Sequence, residues 1–138
     1  MNDVTEILRS KSLKVTPQRI AILNMLMSTN SHPTAESIFK ALEPTNPTMS
    51  LATVYKTLDS FSTAGIIQVL SIDGESLHYD YRTEFHPHIV CTKCGSVCDV
   101  HADVSSEINS ILEKISNESN CSIDKEQLFF YGVCEKCM

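Results

Sequence analysis

Two cysteine pairs of identical spacing, Cys91-x-x-Cys94 and Cys134-x-x-Cys137, set the tightest constraint on this chain. Two intervening residues let a turn present both sulfurs to one ion, and four thiolates around one ion form a structural zinc set. Gly95, directly after the first pair, suits such a turn. Residues 95–133, 39 in number, separate the pairs, more than a compact zinc ribbon holds. One ion on Cys91, Cys94, Cys134 and Cys137 would therefore pin the end of the chain, and whatever helix lies in the gap, onto a strand at 86–91. Four protein ligands leave no open position, so the expected role is structural. Redox pairing of the thiols is the alternative.

The 138 residues allow one medium domain or two small ones, with 42% hydrophobic and 20% charged residues. No apolar run reaches the about 18 residues of a membrane span. No basic and apolar leader opens the sequence, so a cytoplasmic protein with reduced thiols is expected. In that setting Cys98 and Cys121 read as small buried apolar residues. The net charge is −6, unevenly spread. Residues 1–75 hold six Lys/Arg against seven Asp/Glu, a net of −1; residues 76–138 hold five against ten, a net of −5. Nucleic-acid binding by bulk charge is thus disfavoured, least so in the first half, while the second half would attract cations.

The first half reads as helices. A modest helix is expected at 3–12. Thr16-Pro17 is an N-cap followed by proline at the first helical position, opening a helix with Ile20, Ile22, Leu23 and Leu26 at helical spacing. Thr34 caps a helix carrying Ile38, Phe39 and Leu42, and Pro44 and Pro47 bound a loop. Ser50 caps a helix over 50–64 with Leu51, Val54, Leu58 and Phe61 on one side and Gly65 as its stop. Strands follow at 66–72 and 75–81, around the hairpin signal Asp73-Gly74. Short helices followed by a hairpin are the order of a winged helix-turn-helix. Its recognition helix at 50–64 would turn Thr53, Tyr55, Lys56 and Thr57 outward to bases and phosphates, with Lys11, Lys14 and Arg19 as further phosphate contacts. An ordinary polar helix face is the competing reading.

The second half predicts strands at 86–90, 97–101 and 127–133 and an amphipathic helix at 103–116 with Val104, Ile108, Ile111, Leu112 and Ile115. The fold class is therefore α+β: a winged-helix domain over 1–78, a hinge over 79–84, and a small α/β domain with the four-cysteine site over 85–138. Residues two apart on a strand share a face, so His86 and His88 can share an ion, and Asp99 on the partner strand can join them.

Over nearly its whole length the chain resembles the ferric uptake regulator family of metal-dependent repressors. The matching segments are Thr16-Pro17-Gln18-Arg19, His32-Pro33-Thr34-Ala35, Ser50-Leu51-Ala52-Thr53-Val54-Tyr55, His86-x-His88-x-x-Cys91-x-x-Cys94-Gly95 and Cys134-x-x-Cys137. It is most similar to the peroxide-sensing (PerR) branch, because Asp99 stands where the iron-responsive branch has glutamate. The resemblance implies a regulatory Fe²⁺ or Mn²⁺ held by His32, Asp80, His86, His88 and Asp99, beside the structural Zn²⁺. It also implies a homodimer on a pseudo-palindromic double-stranded DNA operator. Hydrogen peroxide would be the signal, through oxidation of His32 or His86, with loss of DNA and derepression of peroxide-stress genes. The family's auxiliary metal site uses a late histidine, and none follows His101. His78 and His101 match no ligand and read as structural or surface residues.

Three other functions fit parts of the pattern. A reversible iron-level repressor would use the same ligands without oxidation. Two histidines and a carboxylate also form the triad of non-haem iron oxygenases, though a chain this short shows no substrate barrel. A zinc-stapled interaction module would need no regulatory metal. A dimer would carry twice −6, or −12, so DNA binding without metal is expected to be weak and steeply salt-dependent.

Overall fold

The structure, a computed structural model, describes residues 3–72 and 76–138. The hairpin turn expected at Asp73-Gly74 lies outside the described residues. The chain divides into two compact units, Met1–Glu84 and Phe85–Met138.

In the first unit, helices α1 (Val4–Ser10), α2 (Pro17–Ser28), α3 (Ala35–Leu42) and α4 (Leu51–Thr63) precede the antiparallel pair β1 (Gln68–Ser71) and β2 (Leu77–Asp80). Each of the three expected N-caps is made. Thr16 accepts from the Arg19 amide at 3.2 Å, Ser50 accepts from the Thr53 amide at 3.1 Å, and Thr34 forms a reciprocal capping box with Ser37. Gly65 ends α4 at φ +77°, where the Ile66 amide reaches back to the Phe61 carbonyl at 2.9 Å and the Gly65 amide to Ser62 at 3.1 Å. That double bond is a Schellman stop, and its left-handed residue is cheapest as glycine.

The core of this unit follows the helical period. On α4, Val54, Thr57, Leu58 and Phe61 fall at spacings of three and four and are buried. Val54, Leu58 and Phe61 pack with Ile22, Leu23 and Leu26 of α2, Ile38 of α3, Leu8 of α1 and Tyr79 of β2. Burying each large apolar side chain contributes about 1.5–3 kcal/mol. Thr57, expected to face outward, is mostly covered, but it lines the same open depression as Lys14, Arg19, Thr53 and Lys56. β2 runs through Asp80, so strand pairing continues into the segment read as a hinge.

The second unit is a three-stranded sheet of order β4-β3-β5 with one helix. β3 (His88–Cys91) pairs antiparallel with β4 (Val97–Asp99) and parallel with β5 (Phe129–Gly132); α5 spans Ser105–Ser119. β3 starts two residues later than expected because Pro87 has no amide to donate, although its carbonyl accepts from Val100 at 2.9 Å. β4 ends at Asp99 and short of His101. The buried apolar residues here are Val90, Cys91, Val97 and Ile108. Ile111, Ile115, Phe130 and Tyr131 are exposed. No helix among the described residues is long and apolar enough to cross a membrane.

Candidate metal centres

The four cysteines converge within the second unit. β3 ends at Cys91, a turn through Gly95 at φ +76° brings Cys94 beside it, and a short 3-10 helix over Glu135–Cys137 carries the second pair. One sulfur from each lies within 4.8 Å of the others, and Cys94 Sγ is 3.7 Å from Cys134 Sγ. A tetrahedron with Zn–S bonds of about 2.3 Å has edges of about 3.8 Å, so the cluster has the dimensions of a zinc site. Backbone amides are already aimed at the sulfurs: Cys134 and Cys94 donate to Cys91 Sγ at 3.3 and 3.4 Å. Those two bonds, the Cys134 amide first, draw the Cys91 thiol down to about 6. Ser96 lowers Cys94, while the neighbouring sulfurs, Cys134 first, push Cys137 up to about 12. Four sulfurs this close cannot all be thiolates without a cation among them, and the donor set fits Zn²⁺.

The remaining two cysteines were expected to be buried, and both are exposed. For Cys98 the reason is strand alternation: Val97 points inward, so Cys98 points outward.

The nitrogen and oxygen donors form two groups, one in each unit. In the second unit, the register pairs His88 with Asp99 across β3 and β4. His86 precedes the strand, but a residue before proline is held extended, so it keeps the same-face relation to His88. Asp99 Oδ1 lies 3.0 Å from His86 Nε2 and 3.2 Å from His88 Nε2, and all three side chains are buried. The two rings are 4.4 Å apart and tilted by 54°. Two imidazolium ions at that distance would repel, whereas two neutral rings and a carboxylate around one cation would not.

In the first unit, His32 Nε2 lies 3.2 Å from Asp80 Oδ2, again with both side chains buried. His32 occupies the turn between α2 and α3 at φ +53°, a conformation that costs a non-glycine residue about 1–3 kcal/mol. Asp80 ends β2, where its other oxygen accepts from the Arg82 amide at 2.9 Å. Separations of 3.0–3.2 Å correspond to the edge, about 3.0 Å, of an octahedron with bonds of about 2.1 Å. Imidazole and carboxylate donors of this mix suit Fe²⁺ or Mn²⁺.

His101 is exposed, as a surface residue. His78 is half-buried, and its Nδ1 lies 2.7 Å from the His32 carbonyl. Sequence reasoning read this residue as structural or surface without naming a partner, and the bond to His32 makes it structural. The signal was available, since His78 stands two residues from Asp80 on one strand.

Of the expected DNA contacts, Lys14, Arg19, Thr53 and Lys56 line one open depression on the first unit. The Arg19 guanidinium donates to the Lys14 backbone carbonyl at 2.8 Å, which orients the Arg19 side chain. Lys11 is exposed at the end of α1 and does not line that depression. Tyr55 donates its hydroxyl to the Glu36 carboxylate of α3, which lowers Glu36 and raises Tyr55.

The chain is similar to known proteins over most of its length. The model of the ferric uptake regulator family matches residues 10–131. The peroxide-responsive repressor PerR of Staphylococcus epidermidis is 36% identical over 130 residues, covering 94% of this chain and 85% of its own. Among solved structures, the ferric uptake regulator of Francisella tularensis with iron is 29% identical at a TM-score of 0.77, covering 91% of this chain and 94% of its own. The ferric uptake regulator of Pseudomonas aeruginosa with manganese is 30% identical at 0.73, covering 96% and 98%.

Proposed function

The chain belongs to the ferric uptake regulator family, and from that premise we propose that it is a metal-dependent transcriptional repressor released from DNA by hydrogen peroxide. The observation that carries this reading is the pair of buried half-sets, His32 with Asp80 in one unit and His86, His88 and Asp99 in the other. Two or three donors fall well short of a coordination shell; five fill all but one position of an octahedron, and that one is left for a small molecule.

In this reading His32, Asp80, His86, His88 and Asp99 hold one Fe²⁺ or Mn²⁺, and Cys91, Cys94, Cys134 and Cys137 hold Zn²⁺. Ligands drawn from both units tie the winged-helix unit to the sheet unit, so holding the metal selects one orientation of the DNA reader. A coupling of about 1–3 kcal/mol would change DNA affinity about 5–150-fold. Residues 1–78 then serve as the DNA-binding domain with the rest of β2, the part of 79–84 that follows β2 as the hinge, and 85–138 as the dimerisation domain. Lys14, Arg19 and Lys56 meet phosphates, Lys11 adds a peripheral one, and Thr53 and Tyr55 reach the groove. A second copy covers the exposed apolar residues of β5 and α5 and sets two recognition helices at half-site spacing on a pseudo-palindromic operator.

Iron(II), when bound, would activate peroxide for cleavage of its O–O bond and act as a catalyst, the ring C–H supplying the two electrons. The net change on the chain is insertion of one peroxide oxygen into a ring C–H of His32 or His86, with water as the other product. The altered ring is a poorer donor, the two half-sets part, and the reader loses its fixed orientation. Manganese at the same donors would leave DNA binding insensitive to peroxide.

Support for the peroxide signal comes from the name of the Staphylococcus epidermidis relative and from Asp99 as the fifth donor. The test is DNA binding by the Fe²⁺ and Mn²⁺ forms, each with and without peroxide, followed by mass spectrometry. One added oxygen on a peptide holding His32 or His86, in the Fe²⁺ form alone and in step with DNA release, is the expected result. Release by chelator but not by peroxide would make the protein a reversible iron-level repressor instead.

A further inference from the structure

We infer that His78 is a positioning residue for the His32–Asp80 half of the regulatory site. The inference rests on the proposed role of His32 as a metal ligand. His32 is held in the left-handed backbone region, at φ +53°, in a turn whose carbonyls point at strand β2. Consecutive residues of that strand grip consecutive carbonyls of the turn. His78 Nδ1 lies 2.7 Å from the His32 oxygen, and the Tyr79 amide donates to the Pro33 oxygen at 3.0 Å. A carbonyl oxygen only accepts, so Nδ1 of His78 carries the hydrogen and donates it.

The next residue but one completes the arrangement. Asp80, on the same face of β2 as His78, meets the His32 side chain at 3.2 Å. β2 thus holds His32 at both ends, with His78 on its backbone and Asp80 on its imidazole. A left-handed non-glycine residue persists only where its surroundings fix it, and the His78 bond is the side-chain contribution to that fixing. Without it, the turn is free to relax toward ordinary backbone angles and swing Nε2 of His32 away from Asp80.

The experiment is Mn²⁺ titration of the zinc-loaded full chain. His78→Leu is expected to weaken Mn²⁺ binding roughly three- to tenfold, the size of one lost hydrogen bond. His78→Asn, whose side-chain amide N–H can reach the same carbonyl, restores most of the affinity. His78→Phe keeps a ring of similar bulk without the donor and replaces the Leu variant if that one fails to fold. In a His32→Ala background, loss of His78 adds no further weakening. If His32→Ala weakens Mn²⁺ binding but His78→Leu and His78→Phe do not, the inference is overturned and the ligand reading stands. Equal weakening by Asn and Phe also overturns it, since bulk rather than the bond would then matter. If His32→Ala leaves Mn²⁺ binding unchanged, the ligand reading itself fails.

Discussion

In the helical unit, four helices and a strand bury Leu8, Ile22, Leu23, Leu26, Ile38, Leu58, Phe61 and Tyr79 in one cluster. In the sheet unit, the 54 residues from Phe85 to Met138 bury Val90, Cys91, Val97 and Ile108, and leave Phe130 and Tyr131 52% and 57% exposed. A domain of about 60 residues is marginal even with a full core, and one with so few buried side chains needs another source of stability. The four clustered thiols are one such source, and a partner over the exposed apolar residues is another. The helical unit can hold its fold by packing. On the proposed reading, the sheet unit draws on its ion and its partner, which suits a part whose state reports on metal.

Stripping the zinc should break this contrast most sharply if it is wrong. Structural zinc is worth about 10–16 kcal/mol in small metal-folded domains. With a strong chelator, or with Cys91→Ser, the amide signals of β3, β4 and β5 should collapse while those of α2, α3 and α4 stay dispersed. A sheet unit that kept its signals without zinc would refute the contrast. Leu58→Ala is the mirror experiment. A cavity at a fully buried leucine should cost about 2–5 kcal/mol of stability in urea denaturation of the helical unit, with one zinc per chain still bound. Smaller again is Phe130→Asp, which places a charge on the exposed edge strand. Self-association should weaken by about 2 kcal/mol in sedimentation, with zinc content unchanged. A dimer that tolerates this change would place the partner elsewhere.

The two units also differ in how much of them the sequence disclosed. The helical unit was legible because its signals are local. Thr16-Pro17, Thr34 and Ser50 cap helices within three residues of themselves, and Gly65 stops one. Thr57 was read as outward from its polarity, while its position one turn from Phe61 leaves it mostly covered at the depression that Thr53 and Lys56 also line. In the sheet unit, the cysteine spacing disclosed the zinc set, but the parallel pairing of β3 with β5 joins residues about 40 apart and leaves no local trace. Strand alternation made the grouping of His86 with His88 legible, with Asp99 in reach on the partner strand, whereas that of His32 with Asp80 was not. His88 opposite Asp99 is a matter of register, and His32 beside Asp80 depends on a left-handed turn. The alternation that paired His86 with His88 applies equally to His78 and Asp80 and would have pointed to His78.

The smallest effect sharpens the comparison at a helix start. Thr34 caps α3 by accepting from the Ser37 amide, and the Ser37 hydroxyl accepts in turn from the Thr34 amide at 2.9 Å. Val104, at the start of α5, makes no side-chain cap bond. Thr34→Ala should cost about 1 kcal/mol in denaturation of the helical unit, since it frees a helix-terminal amide. The same substitution lies two residues from His32, so it also loosens the turn that presents that imidazole. A Thr34→Ser variant keeps the hydroxyl and should lose little of either. If Thr34→Ala lowers stability by that amount yet leaves Mn²⁺ affinity untouched, the turn at His32 is held by β2 alone and the helix start contributes nothing to the site.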